Sequence, residues 1–208
     1  MHMRFEPTFH NKNIYGTRRP LKLLSDWPWH SDWASGGRWT RSSIAQRKRL
    51  TPRRYPRFFS STFTDIFGHL YRPEDLAAFL SEQEPPHWVR QITDPAFAIR
   101  VAECDGHRLG YLKLGPLKLP VDAPKPSMEL HQLYLVDSAR GAGVAAELMD
   151  WALREARARG AHDLYLSVFS ENIRARRFYA RYGFEEVGPY AFMVGEQADE
   201  DIILRLAL

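Results

Sequence analysis

Apolar and polar positions along the chain change their rhythm several times, and each change marks an element. FFSSTFTDIFGHLY places Phe59, Phe63, Ile66 and Phe67 at helical spacing and ends near Gly68. A second helix opens at Pro73-Glu74-Asp75, with proline in its first turn, acids at its positive end and Leu76, Phe79 and Leu80 on one face. Pro85 and Pro86 interrupt it, and His87–Ile92 reads as a further short helical piece. Ala96–Glu103 and Leu109–Gly115 then read as a strand hairpin about the turn Asp105-Gly106.

Residues 116–127 carry four prolines and form a rigid loop. It leads into an alternating strand, Glu129–Leu135. Strict alternation puts Glu129, His131 and Leu133 on one face of that strand. A glycine-bearing turn, Arg140-Gly141-Ala142-Gly143-Val144-Ala145, passes into a helix whose buried face is Val144, Leu148, Met149, Ala152 and Ala156. The strand Asp163–Phe169 follows, and Ser170 or Asn172 can cap the next helix. In that helix Ala175, Phe178, Tyr179 and Tyr182 recur at helical spacing, and Gly183 ends it. Tyr190–Gly195 and Asp201–Leu208 read as a closing hairpin. This order predicts an α/β (α+β) domain with a mixed central sheet and flanking helices over residues 58–208.

Residues 1–57 follow neither period and hold four of the six tryptophans. They carry thirteen Lys/Arg against three acids, net +10, whereas residues 58–208 carry −6. The basic pI of about 9.3 therefore belongs to the N-terminal extension. A disordered extension, a misread start and a docked arm all fit this composition. Nucleic-acid binding, with Arg on phosphates and Trp on bases, ranks below them. No apolar run approaches the roughly 20 residues of a membrane span, and no secretory signal is visible. A single cysteine, Cys104, excludes an intrachain disulfide and disfavours a zinc cage, so a cytoplasmic, metal-free protein is expected.

A strand that runs through a glycine turn into a helix leaves backbone N–H groups free for an anion. Here the pattern Gln/Arg-x-x-Gly-x-Gly/Ala, Arg140 to Ala145, is followed by Asn172, Ala175, Phe178, Tyr179, Gly183 and Phe184 in the pattern Asn-x-x-Ala-x-x-Phe-Tyr-x-x-x-Gly-Phe. Together these closely resemble the GCN5-related N-acetyltransferase (GNAT) superfamily. The six-residue turn is weak alone; the longer second motif at the right distance is specific. The family's usual first strand falls just before Phe58, where two prolines and few apolar residues make a poor strand.

The resemblance implies a sheet splayed at a cofactor cleft, with acetyl-coenzyme A as co-substrate, an amine of a small molecule or protein as acceptor, and no metal. It implies that the backbone of Leu133, Tyr134, Leu135 and Val136 holds pantetheine. Arg140, Gly141, Ala142, Gly143, Val144 and Ala145 would cradle the pyrophosphate, while Asn172, Ala175 and Phe178 would line the pantetheine and thioester. Tyr179 is expected to protonate the departing thiolate, and Glu129 or His131 to take the amine's proton. A non-catalytic acyl-CoA sensor and a nucleic-acid-associated protein are the alternatives. Many relatives are homodimers, though no segment here marks an interface.

Overall fold

The computed structural model describes residues 56–83, 85–123 and 126–208. The basic extension, apart from Pro56 and Arg57 at a helix start, lies outside the described residues, as does the position of the family's first strand. Three helices come first: α1 (Pro56–Phe67), α2 (Pro73–Glu82) and α3 (Pro85–Thr93). Strands β1 (Ala98–Cys104), β2 (His107–Pro116) and β3 (Ser127–Leu135) follow, then α4 (Val144–Ala158), β4 (Asp163–Phe169), α5 (Ile173–Arg181), β5 (Glu185–Val194) and β6 (Gln197–Ala207).

The six strands form one mixed sheet in the order β1-β2-β3-β4-β6-β5, parallel only between β3 and β4. The Asp-Gly turn between β1 and β2 behaves as its spelling requires, with Asp105 and Gly106 at φ 49° and 82°. One sheet face packs on α4 through Leu112, Leu114, Leu130, Leu164 and Leu166, which meet the predicted helix face of Val144, Leu148, Met149, Ala152 and Ala156. On the other face, Phe59 of α1 and Trp88 of α3 close over Tyr111, with ring centroids 4.0 to 5.9 Å apart. Burying such rings is the main local driving force for docking these short helices, worth about 1.5–3 kcal/mol per large apolar side chain.

Two departures from the sequence expectation matter. The closing strands are longer than the apolar runs, because β5 is an edge strand with mostly exposed side chains and therefore little hydrophobic signal. Its Pro189 sits where an edge tolerates a missing N–H, beside a register shift between Glu186 and Gly188. The second departure corrects the alternation in β3. Leu114 pairs with Leu130 but Lys113 pairs with Gln132, so His131 is an extra residue in a β-bulge. The bulge reverses the parity beyond it: Leu130 and Leu133 both pack on the α4 side, and Leu133 does not share a face with Glu129. Gly115, opposite Glu129, makes room for the bulge. A Cβ there would lie 2.8 Å from His131 Nε2 and 2.5 Å from the Phe97 ring.

Strands β3 and β4 pair only from Ser127–Asp163 to Glu129–Tyr165. Beyond that point they diverge, leaving the later half of β3 without a partner on its β4 side. This splay opens the cleft in which the candidate chemistry lies.

Candidate active site

The cleft has a volume of about 1330 Å³ and runs from the glycine turn, past the splayed strands, to α1–α3 and the β5–β6 hairpin. Its floor at one end is backbone. Gly141 and Gly143 both adopt positive φ, 79° and 83°, which a side chain resists. That conformation turns the chain into α4 and frees its first amides. Among the described residues, the N–H groups of residues 141–146 donate no backbone hydrogen bond; the first such bond from the helix is Glu147 N–H to the Gly143 carbonyl at 3.1 Å. Unpaired donors at a helix start can hold an anion such as a pyrophosphate, and Gly141, Gly143, Ala145 and Ala146 line the cleft here. Arg140, at the rim, is held by Asp137 at 2.7 Å.

Most of the residues expected from sequence line this one cleft: Glu129, His131, Leu133, Tyr134, Leu135, Arg140, Gly141, Gly143, Ala145, Asn172, Ala175, Phe178 and Tyr179. Ala142, Val144 and Val136 instead turn their side chains into the core beneath it. The Val136 amide is also taken, donating to the Leu109 carbonyl at 3.0 Å. That removes the Val136 N–H from the set expected to hold an extended ligand. Asn172 caps α5, its Oδ1 accepting the Ala175 N–H at 3.1 Å.

Tyr179 is held by Phe178 and Phe184, with ring centroids 5.5 and 5.6 Å away. Its hydroxyl has no hydrogen-bond partner among the described residues, and burial raises its pKa well above the usual phenol value. It is thus a neutral O–H at the splay. Tyr134 is likewise raised, first by burial and then by Tyr179 and Asp201, which places all three in one electrostatic neighbourhood.

Glu129 and His131 do meet, Oε1 to Nδ1 at 2.9 Å, but both are otherwise engaged. Glu129 Oε2 accepts the Lys118 and Leu119 amides at 2.8 and 3.2 Å, and His131 Nε2 faces the Pro116 carbonyl at 3.1 Å. Burial pushes the Glu129 pKa up, yet the bond from His131 and the two amides outweigh it, so the carboxylate lies below its ordinary value. The pair pins the proline loop to β3. Both imidazole nitrogens face acceptors, which leaves no lone pair turned to the cleft.

In the sequence Asp201 stands out only as the first residue of the closing strand. In the structure it is buried within β6, between Phe169 of β4 and Tyr190 of β5, and lines the cleft. Burial pushes its pKa up to about 6, Ser167's hydrogen bond opposes this, and Asp199 adds to it. Asp199 itself accepts a hydrogen bond from Tyr71, which ties the segment after α1 to the hairpin. At the other wall, Lys113 and Gln91 are buried, residues that sequence reasoning passed over. The one signal was a lysine inside LGYLKLG, a strand buried on both faces.

Against known proteins, the Acetyltransferase (GNAT) family profile matches residues 60–184. An uncharacterised N-acetyltransferase of Mycobacterium tuberculosis is 34% identical over 133 residues, covering 64% of this chain and 81% of that protein. Another, from Lactobacillus delbrueckii, is 30% identical over 149 residues, covering 71% and 86%. The crystal structure of the PaiA N-acetyltransferase of Thermoplasma acidophilum in complex with coenzyme A superposes with a TM-score of 0.60 at 15% identity, covering 77% of this chain and 97% of that one. Profile, relatives and fold agree, and the chain belongs to the GNAT acetyltransferase family.

Proposed function

We propose that this chain is an acetyl-CoA-dependent N-acetyltransferase acting on a primary amine. The carrying observation is that the glycine turn at the start of α4 (Gly141, Gly143, Ala145 and Ala146), an unpaired stretch of β3 and Tyr179 line one cleft. These residues fit coenzyme A: the amides meet its pyrophosphate, and Leu133–Leu135 offer an extended edge to its amides. Bound acetyl-CoA supplies the thioester, whose C–S bond breaks as the amine nitrogen bonds to the carbonyl carbon.

Tyr179 gives its proton to the departing thiolate; being neutral at physiological pH, it carries that proton when needed. Asp201 takes the proton that the amine loses. Its carboxylate is poised near neutrality, whereas Glu129 is occupied and held more acidic. We therefore assign Glu129 and His131 to positioning the acceptor wall rather than to proton transfer. Much of the acceleration comes from holding the amine against the thioester.

The test is calorimetric titration of acetyl-CoA into the full chain, followed by thiol release on adding amines. Saturable binding with amine-dependent release is expected. Binding without release by any amine or peptide would favour an acyl-CoA sensor, and no binding by folded protein would end the reading.

A further inference from the structure

The acceptor half of the cleft holds an ammonium group that has no counter-ion. Lys113 is 5% exposed and lines the cleft. Its Nζ donates to Gln91 Oε1 at 3.0 Å and sits 4.5 Å from the centroid of the Trp88 ring. Gln91 is fixed in turn by His87, Nε2 to Nε2 at 2.8 Å. No carboxylate lies within ion-pairing distance of Lys113 among the described residues. The acid that acts on it is Glu129, and both Glu129 oxygens are already taken by His131 and the two loop amides. Lys118, from that loop, adds a second positive charge. The corner therefore brings two lysines to the cleft with no paired acid among the described residues.

Burying an ammonium without an anion is costly, and one neutral hydrogen bond and one ring face offset only part of that cost. Burial, with Lys118 adding to it, pulls the Lys113 pKa down to about 7, against the pull of Glu129. The charge is best explained by something that arrives. Coenzyme A is an unsuitable source of the missing anion. The glycine turn leads into α4, which packs on Leu112 and Leu114, whereas Lys113 faces α3 on the opposite side of the sheet.

We propose that Lys113, oriented by Gln91 and flanked by Lys118, is an anion subsite for the acceptor, which carries a carboxylate or phosphate remote from its reacting amine. The proposal rests on the acetyl-transfer reading only for what the other end of the acceptor does. Asp201, on β6, meets the amine; Lys113, on β2, meets the anion; β3 and β4 lie between them. The acceptor is thus an elongated molecule with opposite charges at its ends.

The test uses three probe series of increasing chain length: ω-amino carboxylates, ω-aminoalkyl phosphates and 1-alkylamines. Binding is measured by calorimetry in full-length protein, with and without coenzyme A. At the best length, an anionic series should bind at least about 10-fold more tightly than the alkylamine, as one charge-assisted contact provides. The carboxylate and phosphate arms identify which anion fits. In Lys113→Met this ratio should fall to about one. Gln91→Glu, which places an internal carboxylate beside Nζ with little change of shape, should collapse it too. In mildly alkaline buffer, binding of the anion should draw a proton onto Lys113, read as a dependence of the heat on the buffer's ionisation enthalpy that Lys113→Met lacks. Equal binding of alkylamines, discrimination that survives both variants, or no binding by any series would each overturn the subsite. Failure of the acetyl-transfer reading has a different signature, namely no heat with acetyl-CoA and no thiol release, with the probe ratio left intact.

Discussion

The two ends of the cleft are built from different materials. The end proposed for the cofactor is backbone: amides of residues 141–146 and the open edge of β3. The opposite end is side chain: Lys113, Glu129, His131, Asp199 and Asp201, buried or partly buried charges and polar groups drawn from three strands and held by short helices and a proline loop. Backbone geometry is fixed by a few glycines and a cap within one continuous stretch. A constellation of charges is fixed only by the tertiary fold. The first end suits a ligand common to a whole family, and the second can change its charges while the turn stays as it is.

The largest effect should come from poisoning the backbone end. Gly143→Asp forces a side chain onto a residue at φ 83° and puts a carboxylate among the free amides. A Cβ there meets nothing within 4 Å, so the fold has room for the change. Like-charge repulsion of several kcal/mol should weaken acetyl-CoA binding about 1000-fold in calorimetry. Gly143→Ala, which carries the same backbone strain without the charge, should keep most of the affinity and so show that the loss is electrostatic. Retained affinity in Gly143→Asp would mean that the pyrophosphate lies elsewhere.

That asymmetry also explains what the sequence made legible. The turn, the α4 face, the Asn172 cap and the aromatic ladder of α5 are local patterns, and the structure places them where their spacing puts them. The shared face of Glu129, His131 and Leu133 failed because a bulge at His131 inserts one residue that hydrophobic alternation cannot register. Asp201 looked like one acid among several, since its burial depends on β4 and β5 flanking β6. Lys113 needed α3 to close over β2 before its isolation could be seen.

At the junction of the two ends, Tyr179→Phe keeps the aromatic packing with Phe178 and Phe184 and removes only the proton. If Tyr179 is the acid, kcat should fall about 100-fold, with a far smaller change in the Kd of acetyl-CoA. A fall confined to KM would reassign it to binding.

Asp201→Asn probes the side-chain end and should cost about 10-fold in kcat/KM. In the wild type, activity should climb as the pH rises through about 6, because the carboxylate is the form that accepts a proton. The variant should lose that limb while keeping any set by the amine's own ionisation. If instead the limb persists in Asp201→Asn and moves with Glu129→Gln, the base is Glu129.

The remaining effect is one of stability, and it separates the two ends by sign. Lys113→Met removes a buried charge and leaves a side chain of similar length against Trp88. The lysine's pKa is about 10.5 unfolded and about 7 folded, so the unfolded chain binds the extra proton between those values. Wild-type stability should therefore rise with pH from about 7 to about 10.5, the penalty being full below 7 and absent above the unfolded value. The variant lacks this dependence. It should be more stable by about 1–3 kcal/mol at pH 6, with the advantage fading in alkali, as denaturant melts at several pH values will show. A functional residue at the backbone end has no such signature, because Gly143→Asp adds strain instead of removing it. A destabilised Lys113→Met would show that the Gln91 contact and the Trp88 stacking outweigh desolvation, and that Lys113 is there for the fold.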